Sequence, residues 1–430
     1  MPKKTITHAA KDLPLVVVEL GSQSVRAMAA ERIGQDMLHV LAYEENSMHP
    51  CVEQGLVCNP NDAGYMISEV LHLLANRLHV ETIPAAFTLI GGKYMQSVNV
   101  KAHRDLIHKS SITEAVKEDI RNECKTKIEN NNPDVAVYGL IPSYYELDHE
   151  EIESEPLDKD KAIQVVGHYA AFVGHKDGRD KLNKSFDNAK TSIVQTFVRP
   201  DAVLSAISAE NSDLLTNGCA VIDFGAQTTT VSVYKGSEYL LNRVIPVGGW
   251  HISRFIEQQG IPFEYAEYIK CLYGMASPCM VEKDQVMTIP SSIPDRGDVR
   301  VKFSELATII EMKLNEIVQR LQEILRNDIS RITTIYVTGG GSMLQGLLPY
   351  LEQRLGLPVY YGSHAYLLDR QTDDEYCKPK YTSLIGGLIL GSDWRDKHKD
   401  AEISDKKSFK SRLLSAFTET TLPLFTDSDY

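Results

Sequence analysis

"VIDFGAQTTTVSVY", Val221 to Tyr234, is the stretch on which the reading of this chain turns. An apolar run stops at an acid, Asp223. Gly225, Ala226, the amide Gln227 and the three threonines Thr228, Thr229 and Thr230 follow, and apolar alternation then resumes. Period-two alternation on both sides predicts two strands joined by a short turn. Such a turn offers backbone N–H groups and hydroxyls to phosphate oxygens, and the acid beside it can hold a divalent metal through water. An ordinary β-hairpin gives the same local pattern, because D-x-G turns are common. Taken alone, the stretch leaves both readings open.

The same design occurs earlier in the chain. "VVVELGSQSVRAMAAE" (16–31) is again a strand, an acid (Glu19), a glycine (Gly21), two serines (Ser22, Ser24), a base (Arg26) and an apolar run. Two copies about 200 residues apart imply two related lobes with phosphates clamped between them. A third piece, "IYVTGGGSMLQGL" (335–347), runs a strand into three glycines and then a helix, so a ligand can approach the backbone closely. No Walker A loop is present, and "GGGSMLQG" does not give the dinucleotide fingerprint.

Composition narrows the choice of class. The chain has 430 residues, enough for two or three domains, and 43% hydrophobic with 24% charged residues is ordinary for a globular protein. A net charge of −13 argues against bulk nucleic-acid binding. The seven cysteines are odd in number and form no C-x-x-C pair, so reduced thiols are expected rather than zinc or a disulfide framework. The N-terminal stretch reads as no signal peptide, because its apolar run is short and ends at Glu19. No apolar stretch approaches the roughly 18 residues of a membrane span.

Strand character recurs at 13–20, 85–92, 134–142, 163–173, 219–225, 229–234 and 333–341. Helical patterns lie at 62–78, 113–128, 199–210 and 304–326, and the alternation predicts a mixed α/β protein. From Ser392, "SDWRDKHKDAEISDKK" is dense in charge and reads as a solvated, disordered linker.

Taken in order, these motifs resemble the actin-like ATPase superfamily, and within it the FtsA branch. "RVIPVGGWHISRFIEQQGIPFEYAEYIKCLYGMA" (243–276), "HPCVEQGLVCNPNDAGYMISEVLHLL" (49–74), "FTLIGGKYMQSVNV" (87–100) and "VYGLIPSYYELD" (137–148) each resemble an FtsA segment, in collinear order over roughly 13–391. The resemblance implies a two-lobe fold of duplicated ribonuclease-H-like domains. It divides the chain into an N-terminal extension (1–12), a first lobe (13–92 and 179–218) with an inserted α/β subdomain (93–178), and a second lobe (219–391) whose smaller subdomain is near 250–330. A charged linker (392–407) and an amphipathic membrane-targeting segment (408–425) follow. The insertion serves filament contacts and partner recruitment in that family; a decorative insertion is the alternative.

The resemblance also assigns roles. ATP is the implied cofactor, with Mg2+ held through water by Glu19 and Asp223. Gly21, Ser22 and Ser24 form the first phosphate turn, with Arg26 in the family's Lys/Arg slot. Asp223, Gly225, Gln227, Thr228 and Thr229 form the second, with Gly248 and Gly249 beside the phosphates. Glu267 and Lys270 approach the ribose, although their spacing also suits an exposed helical salt bridge. Gly339, Gly340, Gly341 and Ser342 lie by the adenosine. The family's second turn has three glycines and a second acid; here Ala226, Gln227 and Thr230 replace all but Gly225. The resemblance therefore implies ATP binding with weak or no ATPase activity and assigns no catalytic residue.

In the tail, Phe409, Leu413, Ala416 and Phe417 share one helical arc with Leu414 at its edge, flanked by Lys406, Lys407, Lys410 and Arg412. A basic amphipathic helix can lie in the headgroup layer of an anionic membrane, or can dock on protein. The charged leash and the resemblance both favour the membrane. The expected role is a peripheral protein on the cytoplasmic face of the bacterial inner membrane at midcell, which tethers the tubulin-like FtsZ ring, polymerises with itself and recruits later cell-division proteins. A pilus-assembly relative and a small-molecule kinase on the same clamp are the alternatives. The kinase lacks its catalytic carboxylate, since Thr230 stands where that acid is expected.

Overall fold

The computed structural model describes residues 14–404, apart from 35–36, 48–49, 153–154, 209–212, 237 and 294–296. The expected N-terminal extension (1–12) and the membrane segment (408–425), with Phe409, Lys410, Arg412, Leu413, Leu414 and Phe417, lie outside the described residues.

The run LVVVEL forms β1 (Leu15–Leu20) and is buried throughout, as a strand covered on both faces requires. The first lobe continues with β2 (Val25–Ile33), β3 (Met37–Asn46), a small hairpin of β4 (Val52–Glu53) and β5 (Leu56–Val57), α1 (Pro60–Leu78) and β6 (Ala85–Ile90). The insertion comprises β7 (Gln96–Ser111), α2 (Glu114–Asn131), β8 (Val135–Leu147), β9 (Glu150–Ile152) and β10 (Lys161–His175). The lobe closes with α3 (Lys176–Asn188), β11 (Ser192–Val198), α4 (Arg199–Ser208) and α5 (Asp213–Asn217). The second lobe holds β12 (Cys219–Phe224), β13 (Thr229–Lys235), β14 (Glu238–Ile245), α6 (Gly249–Glu257), α7 (Phe263–Tyr273), β15 (Val286–Ile289), β16 (Val299–Lys302) and α8 (Phe303–Leu325). After these come β17 (Thr334–Thr338), α9 (Leu347–Leu355), β18 (Val359–Tyr361) and α10 (Thr382–Ser404).

The duplication is visible in the sheets. The first lobe orders its strands β11-β6-β1-β2-β3 and the second β18-β17-β12-β13-β14. In each, three strands run as an antiparallel meander and the next two add in parallel to the first. Alternate residues of β1 serve opposite faces: Val16 and Val18 pack with Met66, Ile67 and Val70 of α1, and Leu15 and Val17 with Leu384, Ile385 and Leu388 of α10. In the second lobe Ile222, Val231 and Val233 pack with Leu306, Ile310 and Leu314 of α8. Val221, Tyr234 and Tyr239 instead join the first-lobe cluster, so one core ties the lobes together. The insertion has its own sheet, order β7-β10-β8-β9, with Ile120 and Cys124 of α2 against Tyr145, Val165 and Tyr169, while Ala136, Tyr138, Ala170 and Phe172 of the same sheet join the first-lobe cluster.

α4 follows the last strand of the first sheet, and α10 follows the last strand of the second. They cross at Gly386, where a methyl group would run into the Ala202 backbone. The expected linker from Ser392 is corrected here, because α10 continues through it to Ser404. Ser392 is buried, Trp394 packs edge-on against Phe87 at 5.8 Å, and Arg32 pairs with Asp393 at 3.3 Å and Asp396 at 2.7 Å. Among the described residues no helix is long and apolar enough to cross a membrane.

Candidate functional site

The turn after β1 and the turn after β12 are built alike. The Gly21 amide donates to the Ser24 carbonyl at 2.9 Å, and the Gly225 amide donates to the Thr228 carbonyl at 2.9 Å. The register sets Glu19 opposite Arg26 and Asp223 opposite Thr230. Arg26 and Thr230 are thus equivalent positions, one filled by a cation and the other by a hydroxyl.

Both turns border one cleft of about 410 Å³, within the roughly 300–1,000 Å³ of small-molecule sites. Of the residues singled out in the sequence, Glu19, Gly21, Ser22, Ser24, Arg26, Asp223, Gly225, Thr228, Gly249, Glu267, Lys270, Gly339, Gly340 and Gly341 line it. Gly339 has φ +83°, and a Cβ there would sit 2.5 Å from Asp223 Oδ1, so only glycine fits behind that acid.

Four others do not line it. Thr229 is buried and its hydroxyl donates to the Val247 carbonyl at 2.8 Å. The Ser342 hydroxyl donates to the Gly339 carbonyl at 2.7 Å. Gly248 backs the second turn, and the next two amides, Gly249 and Trp250, donate to the Gly225 and Ala226 carbonyls at 2.9 and 2.7 Å. Gln227 reaches across to the first lobe, where its Oε1 accepts from the Gln54 amide at 2.7 Å. Its neighbour Gly55 donates to the Ser22 hydroxyl at 3.0 Å, so the β4–β5 hairpin is tied to both turns.

At the far wall Lys270 Nζ donates to Glu267 at 2.7 Å and to the Gly249 carbonyl at 3.1 Å, and Ser253 also donates to Glu267. Lys270 is buried. This pair therefore closes the wall of the cleft and is no exposed surface bridge.

The floor holds residues that sequence reasoning missed. Arg199, the first residue of α4, brings Nε within 2.8 Å of Glu19 Oε1. Ser383, in the first turn of α10, donates to the Glu19 carboxylate at 3.0 Å. Arg26 Nη2 donates to Glu19 Oε2, and its Nη1 to the Lys380 carbonyl at 2.8 Å. Burial pushes the Glu19 carboxyl up, but Arg26, Arg199 and Ser383 outweigh it and hold the group below the ordinary carboxylate range. Burial raises Asp223 above that range, with Glu19 adding to the rise and the two arginines opposing it.

Glu19 does not fit the metal-holding part expected of it, because both its oxygens are engaged by cations and a hydroxyl. Asp223 lines the same floor beside Arg199. A signal for Arg199 did exist in the sequence: it is a base at the junction of a β-branched strand and a helix, the kind of edge where Glu19 and Asp223 were recognised.

Two like-wound sheets, each presenting one acid-tipped turn to a shared cleft, define an actin-like fold. Solved structures agree on the fold. The PilM-PilN type IV pilus biogenesis complex aligns with TM-score 0.63 at 16% identity, over 89% of this chain and 99% of that one. MreB5 of Spiroplasma citri bound to AMPPNP aligns with TM-score 0.52 at 14% identity, over 91% and 100%. Among sequence relatives it is FtsA that the chain resembles. The family model for cell division protein FtsA matches residues 220–386. Cell division protein FtsA of Neisseria meningitidis serogroup B is 24% identical over 378 residues, 86% of this chain and 88% of the relative. That of Escherichia coli K12 is 23% identical over 414 residues, 93% and 94%. The resemblance read from the motifs is borne out, and it extends to the first lobe through these relatives.

Proposed function

We propose that this chain is an actin-like, nucleotide-binding protein of bacterial cell division. The observation that carries the reading is the pair of matched turns at Gly21 and Gly225 on one cleft, in a chain similar to FtsA over nearly its whole length. ATP is the ligand: the turns take the phosphates through main-chain amides, Glu267 and Lys270 stand at the ribose, and Gly339, Gly340 and Gly341 flank the adenosine. Turnover is slow or absent, because Thr230 leaves no second acid to orient water and Gln227 is committed to Gln54.

The partners are those of the relatives' named process: the FtsZ ring, further copies of this chain in a filament, and later division proteins. The tail segment 408–425 supports attachment to the anionic cytoplasmic face of the membrane at midcell, through Phe409, Leu413, Leu414 and Phe417 with Lys410 and Arg412 in the headgroups. The test is sedimentation of the full-length protein with vesicles of anionic phospholipid, with and without ATP. Co-sedimentation that increases with ATP is expected. A protein that stays in the supernatant under both conditions contradicts the membrane role.

A further inference from the structure

We infer that this cleft takes nucleotide phosphates on a pair of arginines, Arg26 and Arg199, and does so without a divalent cation. The inference rests on the nucleotide reading above. Glu19, the acid a hydrated metal would need at the first turn, is 2% exposed and has both oxygens engaged. Oε1 meets Arg199 Nε at 2.8 Å and the Ser383 hydroxyl at 3.0 Å, and Oε2 meets Arg26 and that same hydroxyl. A cation approaching Glu19 faces two fixed positive charges and has to take the carboxylate from both. At the second turn Asp223 lines the same floor beside Arg199, so a cation approaching it meets the same guanidinium.

The arginines offer what the acids cannot. A guanidinium has five N–H donors in a planar fork that matches phosphate oxygens. Arg26 spends two of its nitrogens on Glu19 and the Lys380 carbonyl. Arg199 Nε is ion-paired with Glu19 at 2.8 Å without a hydrogen bond, and its Nη2 donates to the Leu20 carbonyl at 3.3 Å. N–H donors remain on both, and both residues line the cleft next to Gly21 and Gly225. Their geometry is set in advance. Arg26 is fixed by its register opposite Glu19, and the Arg199 side chain lies over Gly91, where no Cβ intervenes. Glu19 thus serves as the strut that holds two phosphate-binding cations in place.

The test is calorimetric titration of the full-length protein with ATP, once in excess Mg2+ and once in EDTA. The two affinities are expected to agree within about tenfold. A loss of about tenfold or more in EDTA means that the metal carries the phosphates, and overturns the inference while leaving the nucleotide reading intact. Absence of ATP binding in both buffers removes the nucleotide reading and the inference with it. Arg199→Met is expected to weaken binding in EDTA by about tenfold or more, because a charge-assisted fork is lost. Arg199→Lys keeps the ion pair with Glu19 but not the fork, and serves where the methionine variant does not fold. Either variant, folded by circular dichroism and binding ATP in EDTA as tightly as the parent, overturns the inference.

Discussion

Glu19 is the residue on which the floor of the cleft depends. It is the anion between Arg26 and Arg199 and the acceptor for Ser383, so it joins β1, β2, α4 and α10 at one carboxylate. Removing one partner of a buried ion pair leaves the others uncompensated. Glu19→Gln is therefore expected to cost about 3 kcal/mol at neutral pH, read as a lower denaturant midpoint. The sign of its pH dependence follows from its lowered pKa. The stabilisation is complete above the ordinary value of 4.5 and is lost as pH falls through the folded-state value. The gap between parent and variant should hold at neutral pH and narrow in acid. In the other turn Gln227 carries a tie between the lobes. Its amide oxygen holds the Gln54 backbone across the lobes. A bond of about 1 kcal/mol predicts roughly fivefold faster hydrogen exchange at the β4–β5 hairpin in Gln227→Ala. Unchanged exchange there would mean that the tie does not hold the hairpin.

At the scale of elements, strands were legible where burial on both faces wrote continuous apolar runs, as in β1 and β12, and the two turns were legible because an acid and a glycine interrupt those runs. What depended on distant partners was not. Arg199 meets Glu19 across 180 positions (199 − 19), and Asp393 meets Arg32 across 361. The second half of α10 was therefore read as solvated charge, when part of that charge is paired and Trp394 is packed. The meeting of α4 with the second lobe carries a pH signature of its own. Burial pushes the Asp201 carboxyl up to about 6, against the Tyr239 hydroxyl, which donates to it at 3.2 Å. A raised folded-state pKa means that this site's stability is complete below the ordinary carboxylate value and is lost as pH rises through 6. Asp201→Asn imitates the protonated form. It is expected to match the parent near pH 4 and to exceed it by about 2 kcal/mol at pH 8 in denaturant unfolding. Equal stability at both pH values would place the proton elsewhere.

For the whole molecule, two lobes with one strand order face a single cleft, and the insertion has its own sheet under α2 while sharing Ala170 and Phe172 with the first-lobe core. The two-lobe plan was readable because its halves repeat the same turn. The insertion's strand order β7-β10-β8-β9 was not, since pairing between distant strands leaves no local pattern. The tail supplies the test at this scale. Truncation after Ser404 keeps Trp394 and the Arg32 pairs, so the folded lobes are retained. Their thermal midpoint should match that of the full chain, and co-sedimentation with anionic vesicles should be lost. Vesicle binding that survives this cut would move the lipid contact onto the lobes.

α10 begins beside Glu19 and extends over Thr382–Ser404, a 23-residue helix of about 35 Å. Gly386 sets its crossing with α4 close to that starting point, so most of its length lies beyond the crossing. Beyond the crossing Gly387 lies against Leu89 and Val17, Gly391 lies against Phe87, and Trp394 and the Arg32 pairs hold the next turns. The helix is thus a brace that carries the floor of the cleft across the back of the first sheet.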